Sequence, residues 1–149
     1  MISKLVFPFL LLLFFTIPEK LNAQAEKINW VSIEEAQSLQ KISAKPVLIF
    51  VYATWNGWGK RMEKDTFTDA TVIDYVNSNF YAVKLNGEGK EDVTYKGKTM
   101  SETMLTGRLR VRSYPTIVLL DTNLDNKVLK PGYKKTEGFI KMLKDYKGL

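Results

Sequence analysis

The 149-residue chain contains neither cysteine nor histidine. Without a thiol there is no disulfide staple and no thiol–disulfide exchange, which proceeds by thiolate attack. Without an imidazole as well, Cys/His zinc sites and His-assisted nucleophiles are excluded together. Carboxylates, lysines, tyrosines and hydroxyls remain, and none is spaced like a catalytic pair. Glu63 and Asp65 read as solvated helix charges, and no metal or other cofactor is expected. Long hydrophobic runs are also scarce. The longest, Leu5 to Ile17, falls short of the ~20 residues that span a bilayer comfortably.

What is present suits one globular domain. Hydrophobic residues make up 45% and charged residues 26%, which argues against disorder, and the length leaves room for a single core. Lys4, the apolar run, the break at Glu19 and Lys20, and the small-x-small pattern Ala23-Gln24-Ala25 together predict a secretory signal over residues 1–25. Cleavage would follow Ala23 or Ala25; an uncleaved N-terminal anchor is the alternative. The expected mature domain is 26–149, exported to a periplasmic or secreted location, with no integral membrane segment after cleavage. The formal charge of +6 is spread over lysines such as Lys84, Lys98, Lys127 and Lys135. No basic helix or aromatic-interleaved patch gathers them, so a nucleic-acid partner is not expected.

Ser32 and Glu35 form a capping box that starts a helix running to about Lys41. Val47 to Tyr52 is apolar on both faces and predicts a central parallel strand. A helix follows from Gly57 to Asp65 with Trp58 and Met62 on its inner face, then a continuation capped by Thr68 or Asp69. Phe80 to Leu85 reads as a second strand and Asn86 to Ser101 as a polar loop with a short ordered excursion at Val93-Thr94-Tyr95. A helix near Leu105, a strand at Thr116 to Leu120, a strand at Lys127 to Leu129 and a closing helix capped by Thr136 complete the chain. The pattern predicts an α/β fold: two parallel βαβ crossings and a hairpin, forming a mixed sheet between helices.

Three features carry a family resemblance. The segment Ala53-Thr54-Trp55-Asn56-Gly57-Trp58-Gly59-Lys60 follows the apolar strand and opens a helix. Ser113-Tyr114-Pro115-Thr116 precedes the later strand, and Gly132 follows the hairpin strand. In this order they resemble the thioredoxin superfamily, whose active site reads Trp-Cys-x-x-Cys-Lys and whose second loop holds a cis-proline. Val93 to Lys98 and Arg108 to Val111 look most like exported thioredoxins of the sulfur-oxidation-associated type. The resemblance covers Ile28 to Tyr146 and implies the thioredoxin fold.

The departures from that pattern matter as much. Asn56 and Gly59 stand where the two cysteines would be, and Phe50 stands where many members bury a carboxylate. Asparagine has no ionisable nucleophile but is among the best helix N-caps. The resemblance therefore implies a fold kept after its redox chemistry was lost. Extended polypeptide or a protein client is the expected partner. Its binding residues would be Trp55, Gly57, Trp58, Tyr114, Pro115 and Thr116, with Asn56 and Gly59 as degenerate dithiol positions. Two alternatives stand beside this: an oxidoreductase whose cysteines have been substituted, and a structural subunit that uses the fold as scaffold.

Overall fold

Val47–Tyr52 alternates its side chains between two cores. Leu48 and Phe50 point into one, while Val47, Ile49 and Val51 point into the other, and all five are buried. This strand is β2 of a computed structural model that describes residues 26–148. The predicted signal segment, residues 1–25, lies outside the described residues.

In chain order the elements are β1 (Trp30–Val31), α1 (Ile33–Ile42), β2, α2 (Gly57–Asp65), α3 (Ala70–Asn79) and β3 (Tyr81–Asn86). They continue with β4 (Asp92–Tyr95), β5 (Lys98–Ser101), α4 (Glu102–Arg108), β6 (Thr116–Leu120), β7 (Lys127–Pro131) and α5 (Thr136–Lys147). The five-stranded sheet runs β1-β3-β2-β6-β7, and β4-β5 forms a separate hairpin. β2 is parallel to β3, with Ile49 opposite Val83, and antiparallel to β6, with Ile49 opposite Val118.

Helices cover both faces, as the doubly apolar strand demands. On one side Phe50 packs edge-on against Phe67, with ring centroids 4.9 Å apart, and Met62, Val72, Val76, Phe139 and Leu143 from α2, α3 and α5 complete the layer. On the other side Ile33, Ala36, Leu105 and Leu109 close over Val47, Ile49 and Val118. The local signals behind these helices are visible: Ser32 Oγ accepts from Glu35 N at 3.1 Å, and Asp69 Oδ1 accepts from Thr71 N at 2.9 Å. Asp69, one of the two residues foreseen as caps, starts α3 as a helix separate from α2.

The expected topology needs four corrections. The parallel crossings are β1-α1-β2 and β2-α2-α3-β3, because β6 lies antiparallel to β2 and the later connection is no βαβ unit. β1 was not foreseen, being only two residues long. The polar stretch Asn86 to Ser101 contains the β4-β5 hairpin, whose turn places Lys96 and Gly97 at φ of 50° and 74°. Glu34 and Gln37 of α1 hold it: Thr94 N donates to Glu34, Gln37 Nε2 donates to Thr94 O at 2.8 Å, and Lys96 N donates to Gln37 Oε1 at 2.8 Å. These long-range bonds leave no trace in local hydropathy. Finally, Lys135 and not Thr136 is the N-cap of α5, and it makes no side-chain cap bond.

The turn between β6 and β7 is built on one carboxylate. Burial pushes Asp121 up, but bonds from Asn126 Nδ2 (2.7 Å) and from the amides of Asp125 (2.8 Å) and Asn123 (3.3 Å) outweigh it and hold the acid below its ordinary value. The folded state therefore binds this proton less readily than the unfolded chain. Its contribution is complete above the ordinary aspartate value of 3.8 and is lost as pH falls through the lower folded value. Urea midpoints measured between about pH 5 and about pH 2 should fall less steeply for Asp121→Asn than for the unaltered chain. Parallel curves would remove Asp121 as a source of acid sensitivity.

Candidate functional site

Helix α2 begins where β2 ends, and Asn56 makes the join. Its backbone is extended, with φ −81° and ψ 111°, and its Oδ1 accepts a hydrogen bond from Gly59 N at 2.8 Å. The other end of the same amide reaches across to a separate loop, where Nδ2 donates to the carbonyl of Tyr114 at 3.1 Å. Both partners fix the orientation of the side chain, since only the oxygen can accept and only the nitrogen can donate. The Tyr114–Pro115 peptide bond is cis.

Tyr114 is positioned by its surroundings. A Cβ on Gly87 would lie 2.2 Å from Tyr114 Cε1, so this ring position requires glycine there. Gly87 N is itself tied to Tyr52 O at 2.7 Å. Trp55 approaches Tyr114 edge-on at 6.2 Å and donates its indole N–H to Glu88 at 2.9 Å. Burial and the nearby Glu88 carboxylate push the Tyr114 phenol up, which keeps it neutral.

Trp58, Tyr114, Pro115, Gly132 and Tyr133 line a hollow of about 300 Å³ that is almost wholly apolar. Trp58 and Tyr133 lie 5.5 Å apart, and the Arg61 guanidinium sits 5.6 and 5.5 Å from their two rings while pairing with Asp65 at 3.2 Å. Gly132 N donates to Pro115 O at 2.8 Å and ties the end of β7 to the proline loop. On another side of Tyr133 a second hollow of about 480 Å³, of mixed polar and apolar lining, is bounded by Arg61, Thr66, Lys135 and Glu137 among others. Among the described residues no acidic cluster could hold a metal ion.

The structure brings some of the predicted site residues together and separates others. Trp58, Tyr114 and Pro115 meet in the apolar hollow, and Trp55 abuts Tyr114. Gly57 is exposed with open space where its Cβ would be, away from the hollow. Thr116 is buried and donates its hydroxyl to Ser113 O at 2.8 Å, so it supports the loop from behind. Trp58 is not on the inner face of α2, as its spacing from Met62 suggested; it is 55% exposed. The inner stripe is Gly59 and Met62. A Cβ on Gly59 would sit 3.7 Å from Tyr52 Cβ and 3.9 Å from Phe50 Cζ, so Gly59 faces the sheet and Trp58, ~100° away on the helix, faces out.

Four contributors escaped the sequence reading. Tyr133 followed a chain-breaking Pro-Gly pair and read as a loop residue. Arg61 lies three residues after Trp58, a helical spacing that could have flagged the stack. Gly87 and Glu88 sit in a polar loop, with no local sign that Tyr114 and Trp55 rest on them.

A family model described as a thioredoxin-like domain matches residues 33–147. The chain belongs to the thioredoxin-like family. Solved structures agree with that membership. A candidate disulphide-isomerase from Bacteroides thetaiotaomicron is 26% identical, with a TM-score of 0.61, over 82% of this chain and 94% of that one. A thioredoxin-fold protein from Helicobacter pylori is 25% identical, with a TM-score of 0.60, over 68% of each chain. The oxidoreductase DsbH shares the fold at 16% identity, with a TM-score of 0.63, over 82% of this chain and 85% of that one. A search among proteins of curated function returns no match.

In this thioredoxin-like domain, positions 56 and 59 have opposite energetic roles. Asn56 satisfies an orphan helix amide, and its loss should cost about 1–2 kcal/mol. Gly59 has room for a methyl group, with the nearest neighbours of a Cβ at 3.6 to 3.9 Å. Gly59→Ala should therefore stabilise by about 0.4–1 kcal/mol, while Asn56→Ala destabilises. Urea unfolding of the two variants should move the midpoint in opposite directions; a Gly59→Ala loss would mean that α2 packs more tightly on β2 than these distances allow.

Proposed function

We propose that this chain is an exported, non-catalytic module that binds extended polypeptide. The observation that carries this reading is the apolar hollow. Residues from three separate segments meet there, Trp58 stays largely exposed beside it, and Tyr114 is part of its wall. Apolar surface held open to water in this way suits an apolar side chain of a partner, and an unpaired backbone N–H suits pairing with an extended chain. The Tyr114 N–H donates no hydrogen bond among the described residues, so it can donate one in such pairing.

The expected clients are protein segments, and kinship with a candidate disulphide-isomerase supports the same client class without the thiol chemistry. Export rests on the predicted signal at residues 1–25. Among the described residues no helix is long and apolar enough to cross a membrane. A hollow of this size takes about one side chain, so affinity should be micromolar or weaker. An oxidoreductase with substituted cysteines fits less well, because Asn56 is bonded at both ends and contributes to the structure that it occupies.

Titration with a reduced, carboxymethylated polypeptide should shift the emission of Trp55 and Trp58, and Trp58→Ala should weaken binding about five-fold or more. Unchanged affinity in both Trp58→Ala and Tyr114→Ala would leave the scaffold reading as the better one. The unaltered chain should reduce no insulin disulfide, whereas Asn56→Cys combined with Gly59→Cys should form a closable dithiol at the start of α2. Cysteines that never close would mean that these are not the dithiol positions.

A further inference from the structure

An extended client pairs with a backbone edge through two bonds, one to an N–H and one to a C=O. At Tyr114 the two halves of that edge are unequal. The N–H has no hydrogen bond among the described residues, but the carbonyl already accepts one from Asn56 Nδ2 at 3.1 Å. A side-chain amide and a peptide N–H are the same kind of donor. Asn56 is also held from its far end, where Oδ1 takes Gly59 N at 2.8 Å, so its position costs little further ordering. The carbonyl is therefore satisfied before a client arrives: a client N–H could add only at its second lone pair, and a client without an N–H there leaves no unpaired acceptor behind.

We propose that Asn56 is a specificity-determining residue that stands in for one client N–H, so that this surface accepts extended segments with proline opposite the Tyr114 carbonyl. This rests on the polypeptide-binding reading and narrows its client class. Proline lacks a backbone N–H and is normally excluded from a paired strand for that reason. Here the missing donor is supplied by the protein. The adjoining walls are suited to a pyrrolidine ring as well: Trp58, Tyr114 and Tyr133 present three aromatic rings around Pro115. Aromatic-lined grooves are a recurring surface for proline-bearing extended chains.

The test compares the unaltered chain with Asn56→Ser. Serine keeps the N-cap oxygen for Gly59 but is too short to reach Tyr114, so the helix start survives and the carbonyl is released. The probes are an eight-residue alanine-based peptide with one central leucine and its versions with proline or N-methylalanine at each alanine in turn. Binding is read from the Tyr114 amide signal by nitrogen-15 NMR. The unaltered chain should bind the best-placed proline and N-methylalanine peptides as tightly as the parent. In Asn56→Ser the parent should gain about five-fold over both, the value of one neutral hydrogen bond. A penalty for proline and N-methylalanine at every position in the unaltered chain would overturn the proposal. So would an Asn56→Ser change that alters all peptides alike, which is what a purely structural clamp would give. Binding that follows neither the proline nor the serine change would leave polypeptide binding standing while this proposal fell; no binding to either protein would remove both.

Discussion

The molecule depends on burying β2 from both sides. A strand apolar on alternate faces cannot be exposed to water on either, so it needs helices above and below and strands on both flanks. Phe50 is the point where these demands meet. Its ring is fully buried, touches Phe67 edge-on, lies 6.3 Å from Trp30 and stacks at 5.7 Å on Tyr52. It thus joins β1, β2 and the segment after α2 in one aromatic layer. The ring also passes beneath Gly59, so the packing of the core and the footing of α2 are set by the same side chain. A carboxylate in that position would have to be desolvated among three aromatic neighbours, at a cost of several kcal/mol. Core packing and proton transfer are alternatives here, and this chain has the packing.

Sheet topology then decides where a surface can form. Parallel strands β2 and β3 end at the same edge, and antiparallel β6 begins there while β7 ends there, with Thr116 opposite Pro131. The loops following β2, β3 and β7 and the loop preceding β6 are therefore neighbours. Their first side chains, Trp55 and Asn56, Gly87 and Glu88, Tyr133, and Tyr114 and Pro115, converge without any being near another segment's residues in sequence. Asn56 secures two of these loops to one another.

What the sequence reveals follows from how local each cause is. The central strands and the start of α1 were legible because hydropathy on both faces of β2 and the Ser32–Glu35 cap act within a few residues. Asn56 as an N-cap was legible for the same reason. Its second bond to Tyr114, 58 residues away, was not. Of the hairpin at Asp92 to Ser101 only the excursion at Val93 to Tyr95 was legible, because its strands are short and their outer backbone groups are held by Glu34 and Gln37 from another segment. Trp58 shows a further limit. Spacing places it near the buried Met62 on the helix, but only the contact of Gly59 with the sheet shows that the inner stripe runs through Gly59 and Met62 and leaves Trp58 on its outer flank. The same long-range dependence hid Gly87, whose necessity is a matter of where a tyrosine ring from another segment comes to rest.

The grip of α1 on the hairpin bears on solubility. Strand β4 has β5 on one side only, and an open strand border is a template on which further chains can add. Glu34 and Gln37 engage Thr94 N, Thr94 O and Lys96 N, which are among the groups such an addition would use. At the far border of the main sheet β7 carries Lys127, Lys130 and Pro131, residues that repel or cannot donate to an incoming strand. Covered in this way, the two borders offer few free backbone groups to a second copy, and chance contact between copies is kept from becoming polymerisation.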